Sequence, residues 1–120
     1  MNKIEALYNF WHSFDLDAYD ETAVPDNATL PYITYESRAS DFNDTLVMTA
    51  SLWYYGTSLG PVSQKALDIE RSLSRGGKLV TYDRGAFWIR KGNPFLQTMS
   101  DTNDMIRRIV LTVNVDFIGD

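Results

Sequence analysis

Hydrophobic and polar residues alternate along several stretches of the chain, and this alternation predicts most of its strands. In "LPYITYES", residues 30–37, Ile33 and Tyr35 fall on one side of an extended chain and Thr34 falls on the other. Residues 45–55, "TLVMTASLWYY", alternate in the same way. These two stretches predict neighbouring antiparallel strands, separated by a polar connection.

A hairpin and a long final strand are predicted in the second half of the chain. Residues 78–82 and 86–91 are short extended runs, and the three residues that join them end in Gly85. This spacing predicts a hairpin turn in which Gly85 takes a left-handed conformation. Residues 105–117 alternate most clearly of all, and they predict one buried face made of Ile109, Leu111, Val113, Val115 and Phe117.

Two stretches have the spacing of amphipathic helices. Residues 3–14 place Ile4, Leu7, Tyr8, Trp11 and Phe14 on one face. Asn2 and Glu5 stand three residues apart before this run, as in a capping box. The second predicted helix carries Val62, Ala66, Ile69 and Leu73 as its apolar stripe and ends before Gly76 and Gly77.

The remaining segments, residues 15–29 and 93–104, lack periodicity and are predicted to be loops. The predicted order is helix, two strands, helix, three strands. This order favours a single α+β domain over residues 1–120, with a mostly antiparallel sheet of about five strands and two helices packed on one face.

Charge is divided unevenly along the chain, whose formal net charge is -5. Residues 1–60 hold nine acidic side chains against Lys3 and Arg38, a net -7, whereas residues 61–120 hold seven acidic against nine basic ones, a net +2. An acidic surface of one copy could therefore meet a basic surface of another. The overall acidity argues against a dedicated nucleic-acid binder. Neither a secretory signal nor a membrane span is indicated by the sequence.

Few residue patterns point to catalysis or to a cofactor. The chain has no cysteine and one histidine, His12, which lies within the first predicted helix. Asp15, Asp17, Asp20 and Glu21 lack the spacing of a calcium loop. The glycines of "SRGGK" follow a helix, so they cannot form a phosphate cradle at a helix amino terminus. We therefore expect no enzyme activity, no cofactor and no metal.

Aromatic residues are in surplus on the predicted strands. Trp53, Tyr54 and Tyr55 end one strand, Phe87 and Trp88 lie on another, and Tyr32 and Tyr35 lie on the first. A single sheet with helices on one side has a second side left open, where we also expect Val47, Val80 and Val110. Some of these side chains would stay exposed to solvent unless another subunit covers them.

The layout resembles the small tail terminator or tail completion (tail-to-head joining) proteins of long-tailed bacteriophages and prophages. The resemblance rests on the amino-terminal helix ending in "FWHSF", the acidic loop leading into "LPYITYES", the strand ending in "LWYY", the mid-chain helix and the alternating last strand. It covers almost the full length of the chain, and no catalytic motif belongs to it.

The resemblance implies a virion protein, assembled in the host bacterial cytoplasm, that forms a homo-oligomeric ring, usually a hexamer. Such a ring caps the tail tube, stops its polymerisation and meets a neck or head-completion protein, while DNA only passes through the lumen. We expect the loops at 15–29, 38–45 and 92–104 to contact neighbouring subunits or the tube. The individual candidates for these contacts are Asp15, Asp17, Tyr32, Tyr35, Trp53, Tyr55, Trp88, Arg107 and Arg108.

Other functions remain open at this point. A head-closure protein or another neck protein has the same size and the same ring symmetry. A different class is a small-ligand-binding α+β module that uses the aromatic face for stacking. A hydrolase with two acting carboxylates would need a buried pair, one of which has a raised pKa.

Overall fold

The computed structural model describes residues 1–38 and 45–119. These residues form two helices, α1 (Lys3–His12) and α2 (Gly60–Leu73), and one six-stranded sheet. The strands are β1 (Asp17–Asp20), β2 (Tyr32–Tyr35), β3 (Thr45–Tyr55), β4 (Lys78–Tyr82), β5 (Gly85–Met99) and β6 (Ile106–Gly119). Most of the connection predicted between β2 and β3, and of the loop predicted at 38–45, lies outside the described residues.

The sheet is mixed, with the order β1-β2-β3-β6-β5-β4. The β1/β2 pair is parallel, and the other four neighbouring pairs are antiparallel. The α+β class is therefore as predicted, and so are the positions of β2, β3 and β6. The prediction of about five mostly antiparallel strands is corrected to six strands with one parallel edge.

Strand β1 lies inside the stretch predicted to be a loop, residues 15–29. It has four residues, Asp17–Asp20, of which Ala18 alone is buried. Ala18 stands opposite Ile33 of β2 in the parallel register. Because only one apolar side chain is needed to anchor so short an edge strand, the sequence carries no alternation long enough to reveal it.

Strand β5 is longer than predicted and removes most of the loop expected at 93–104. It continues to Met99, with an irregular register between Lys91 and Leu96 where it pairs with β6. Asn93 and Pro94 fall inside this irregular section, and their turn-forming character explains the wrong prediction. Only residues 100–105 connect β5 to β6.

The predicted hairpin is present, but Gly85 has a different role from the one expected. Tyr82 of β4 pairs with Gly85 of β5, so the turn contains two residues, Asp83 and Arg84. Gly85 does not have a positive φ. A Cβ atom at this position would lie 2.1 Å from the carbonyl oxygen of Ile118. Glycine is therefore required here by the close approach of β6 and not by left-handed backbone.

Helix α1 begins with the predicted capping box. The Asn2 side chain accepts a hydrogen bond from the Glu5 amide at 2.9 Å, and the Glu5 carboxylate accepts one from the Asn2 amide at 3.2 Å. The helix ends at His12, before the predicted Phe14. It buries Ala6, Leu7, Phe10 and Trp11.

Both helices pack on the same side of the sheet, as predicted. Helix α1 contacts both edge strands, β1 and β4, which requires the sheet to curl around it, and α2 contacts β3, β5 and β6. One continuous core joins the two helices to the inward-facing residues of β3, β5 and β6. We call the helix-covered side of the sheet the concave face and the other side the convex face.

Candidate interaction surface on the convex face

The convex face consists of the strand residues that alternate with the core positions. Val80 is not among them: it stands opposite Phe87 and packs against the core, contrary to the prediction that placed it on the open side. By strand register, the members of the convex face include Asp17, Tyr19, Tyr32, Thr34, Val47, Thr49, Ser51, Trp53, Tyr55, Trp88, Arg90, Arg108, Val110, Thr112, Asn114 and Asp116.

An ordered group of four side chains, which we call the Trp53 cluster, lies at the centre of this face. The Trp53 indole Nε1 donates a hydrogen bond to the Thr34 hydroxyl at 2.9 Å. The Arg108 guanidinium lies 4.4 Å from the centroid of the Trp53 ring, on its face. Arg108 also donates from Nε and Nη2 to the Ser51 hydroxyl, at 3.2 and 3.1 Å. The indole and the guanidinium are therefore held in one arrangement by their neighbours.

Tyr32 and Tyr55 extend the aromatic surface on two sides of this cluster. Tyr32 stands directly opposite Trp53 and packs edge to face against Tyr19, with 5.7 Å between ring centroids. Tyr55, at the end of β3, is 63% exposed, and Val47 on the same strand is 55% exposed. Large apolar groups in such positions favour contact with another protein surface.

Polar pairs border the cluster toward the far end of β6. Arg90 donates a hydrogen bond to the Asp116 carboxylate at 2.7 Å, and the Thr45 hydroxyl donates to the same carboxylate. Trp88 stands opposite Asp116 on the neighbouring strand. The convex face thus has an aromatic and cationic centre with a hydrogen-bonded polar margin, which is the usual anatomy of a protein interface.

Most of the candidate contact residues lie on this face. Trp53, Tyr55, Tyr32, Trp88 and Arg108 belong to it. Asp17 lies at its β1 edge, and Asp15 is exposed in the turn before β1. Sequence reasoning missed Thr34 and Ser51, and the only signal for them was their alternation with buried residues on β2 and β3.

Two candidates lie elsewhere. Tyr35 is 5% exposed and stacks on Trp11 in the core, and burial raises the pKa of its hydroxyl. Arg107 falls on the concave side, opposite Tyr54, and its Nη2 donates to the Thr57 carbonyl oxygen at 3.3 Å. Neither side chain contributes to the convex face.

The histidine and the acidic residues of positions 15–21, which the sequence offered for catalysis or metal binding, lie near the surface of the described chain. His12 is exposed and stacks on Tyr8, with 5.2 Å between ring centroids. Within residues 1–38 and 45–119, no three or more His, Asp or Glu side chains group closely enough to hold a metal ion. Surface depressions of about 420, 450 and 310 Å³ are open to solvent, and none of them includes a member of the Trp53 cluster. These three depressions therefore offer no binding site that would use the indole of Trp53.

Comparisons with known proteins do not assign this chain to a family: no protein-family model matches it, and no curated protein matches it significantly. Neither helix is long and apolar enough to cross a membrane, within the part of the chain that the structure describes.

Proposed function

We propose that this protein is a virion structural protein of the tail terminator type. It assembles as a ring, a hexamer by the resemblance, on the end of the tail tube, where it stops polymerisation and provides the interface to the head or neck. The proposal combines the resemblance of the sequence with a surface suited to protein association.

The observation that carries the proposal is the Trp53 cluster on a sheet face that neither helix covers. Tryptophan, tyrosine and arginine are the residue types that dominate binding energy at protein interfaces. The hydrogen bonds of Trp53 to Thr34 and of Arg108 to Ser51 fix both side chains before any partner arrives. Little side-chain entropy is then lost on association, which favours binding through this face.

Two parts of the sheet edge, β1 and the overhanging section of β5, are less suited to association. Edge strand β1 has only four residues and carries the carboxylates of Asp17 and Asp20. The section of β5 that extends past β4 contains Pro94 and an irregular register. Short, charged and proline-containing edges oppose the addition of another strand. We therefore assign the main partner contact to side chains of the convex face.

The overall charge agrees with DNA passing through the ring without being held. The formal net charge of -5 repels phosphates, and the arginines of the convex face are already engaged: Arg90 pairs with Asp116, and Arg108 bonds Ser51 and stacks on Trp53. DNA is therefore a passing cargo in this proposal and not a bound ligand.

The proposal is tested with a pair of matched surface variants. Tyr55→Glu places a charge on the convex face, and Tyr8→Glu places one on exposed helix α1, where the native tyrosine is 41% exposed. In a phage or prophage that depends on this gene, Tyr55→Glu should give tails of uncontrolled length in electron micrographs, because the ring no longer seats on the tube. Tyr8→Glu should give tails of normal length.

Other outcomes separate the alternatives. Tails of normal length on heads that leak DNA, with Tyr55→Glu, would assign the protein to head closure instead. Normal tails and normal heads with both variants, each purified and shown to be folded, would refute the assignment of the convex face and with it the structural proposal.

A further inference from the structure

A pocket of about 420 Å³ opens between the carboxyl end of α2 and strand β5. We call it the basic pocket because three of its lining residues are cationic and one is acidic. Its lining residues are Leu67, Glu70, Arg71, Ser74, Arg75 and Lys91. It lies on the helix side of the molecule, so it is separate from the Trp53 cluster.

The cations of the basic pocket are poorly neutralised within the chain. Arg75 and Lys91 make no ion pair or hydrogen bond to any other residue in the described ranges. Arg71 reaches Asp68 at 3.7 Å, but its side chain is 77% exposed, and a surface pair of this kind contributes little. Leu67, 44% exposed, adds an apolar wall beside these charges. Such a site suits a carboxylate-bearing protein segment.

The same chain carries a matching acidic segment on a distant strand. Asp15, Asp17 and Glu21 are exposed on or beside β1, and Asp26 is exposed in the connection from β1 to β2; we call these four residues the acidic edge. Their carboxylates make no hydrogen bond or ion pair with other described residues. Asp20 differs because it is engaged by Thr22, which donates to it from its amide and its hydroxyl.

We propose that the basic pocket receives the acidic edge of a second copy of this chain. Strands β2, β3 and β6 separate β1 from β5 in the sheet, so the two surfaces belong to different parts of one molecule. Their charges are complementary and both are unsatisfied, which favours a contact between copies. Two different patches meet in this contact, so it repeats head to tail and closes into a ring if the rotation allows. The inference rests on the proposed function for its ring. It assigns the subunit contact to the basic pocket and the acidic edge, which adjoins the convex face at Asp17.

Disulfide trapping tests the contact directly, because the natural chain contains no cysteine. Ser74→Cys lines the basic pocket and Ala23→Cys lies beside the acidic edge, and neither change removes a charge. The two variants, mixed under mild oxidation, should form a mixed covalent dimer at least about tenfold faster than the control mixture, since a specific contact raises the effective concentration. The control pairs Ser74→Cys with Ser100→Cys, an exposed position in the β5–β6 connection. A rate equal to that of the control overturns the proposal.

A second, stricter test reverses the charges of the basic pocket and of the acidic edge in chains that carry the same cysteine substitutions. The pocket variant carries Arg71→Glu and Arg75→Glu, which makes the pocket net negative. The edge variant carries Asp15→Lys, Asp17→Lys and Glu21→Lys, which makes the acidic edge net positive. Each reversed chain alone should lose the accelerated cross-linking. A mixture of the two should recover it, because every contact in an alternating assembly is again between opposite charges. Failure of the mixture to recover, with both variants folded by circular dichroism, overturns the proposal.

The two proposals can fail separately. Accelerated cross-linking together with normal tails for Tyr55→Glu would retain the contact between copies and reject the tail-capping role. Uncontrolled tail length for Tyr55→Glu without specific cross-linking would retain the role and reject the pocket as the subunit contact.

Discussion

The energetic coupling between Trp53 and Arg108 shows whether the side chains of the convex face are ordered before a partner binds, so measuring it is the sharpest test of that claim. Arg108→Met removes the guanidinium but keeps a long apolar chain. It should cost about 1 kcal/mol for the lost hydrogen bonds to Ser51 and about 0.5–1 kcal/mol for the lost stacking on a half-buried indole. These two losses together should lower the midpoint of thermal unfolding by roughly 6–10 °C for a domain of this size.

A double-mutant cycle isolates the stacking. When Trp53→Leu is already present, Arg108→Met should cost about 0.5–1 kcal/mol less than in the natural protein, because the stacking partner is gone. Urea unfolding followed by far-ultraviolet circular dichroism measures all four proteins without relying on tryptophan fluorescence. Arg84, in the exposed β4–β5 turn, provides the control: the cycle between Trp53→Leu and Arg84→Met should show no coupling.

If the costs of the Trp53 and Arg108 substitutions add to within about 0.3 kcal/mol, as for independent sites, the predicted coupling is absent. The two side chains would then be independent in solution, and the convex face would order itself only when a partner binds. Binding through this face would then cost the side-chain entropy of both residues.

Three other predictions concern stability and are checked by unfolding measurements. Gly85→Ala should destabilise the fold by several kcal/mol, because its Cβ would lie 2.1 Å from the carbonyl oxygen of Ile118. The control is Gly76→Ala, whose Cβ would have no atom within 4 Å and which should change stability by less than about 1 kcal/mol. Leu52→Ala, at a position with 0% exposure, should cost about 2–5 kcal/mol. Hydrogen bonds from Thr22 lower the pKa of Asp20. The stability that this carboxylate contributes is therefore complete near neutral pH and disappears as the pH falls through its folded-state pKa. The difference in Tm between the natural protein and Asp20→Asn should accordingly shrink toward acidic pH.

Long alternating stretches were predictable because burial on one face repeats over many residues. Strand β6 buries Ile109 and each second residue through Phe117, so its pattern leaves no other interpretation. Strand β3 is nearly as clear, and α1 was identified by its cap as well as its spacing. These three elements supply much of the core, which α2 and β5 complete.

Short and irregular elements were not predictable, for physical reasons that differ. Strand β1 needs only Ala18 to anchor it, so no period exists to detect. Strand β5 continues through Pro94 because its pairing with β6 resumes at Leu96, a contact distant in sequence. The face occupied by Val80 depends on its register with Phe87, which a five-residue strand does not determine by itself.

The candidate surface was predicted in part. The aromatic surplus drew attention to Trp53 and Tyr55, and the register of β3 with β6 places both on the convex face. Tyr35 belongs to the opposite face, as its own alternation with Thr34 indicated, and was included only because it is aromatic. The bonds that organise the Trp53 cluster join β2, β3 and β6, and such cross-strand partners cannot be identified before the strand order is known.

The position of β6 between β3 and β5 has a consequence for synthesis of the protein on the ribosome. Until residues 106–119 emerge, the strands of the nascent chain can pair only as two unconnected groups, β1-β2-β3 and β4-β5, each with an unpaired strand edge. Folding should therefore wait for the last strand, and the incomplete chain is a natural client for chaperones that shield such edges. Ribosome-arrested chains that end before residue 106 should remain sensitive to protease, whereas chains with β6 outside the exit tunnel should become resistant.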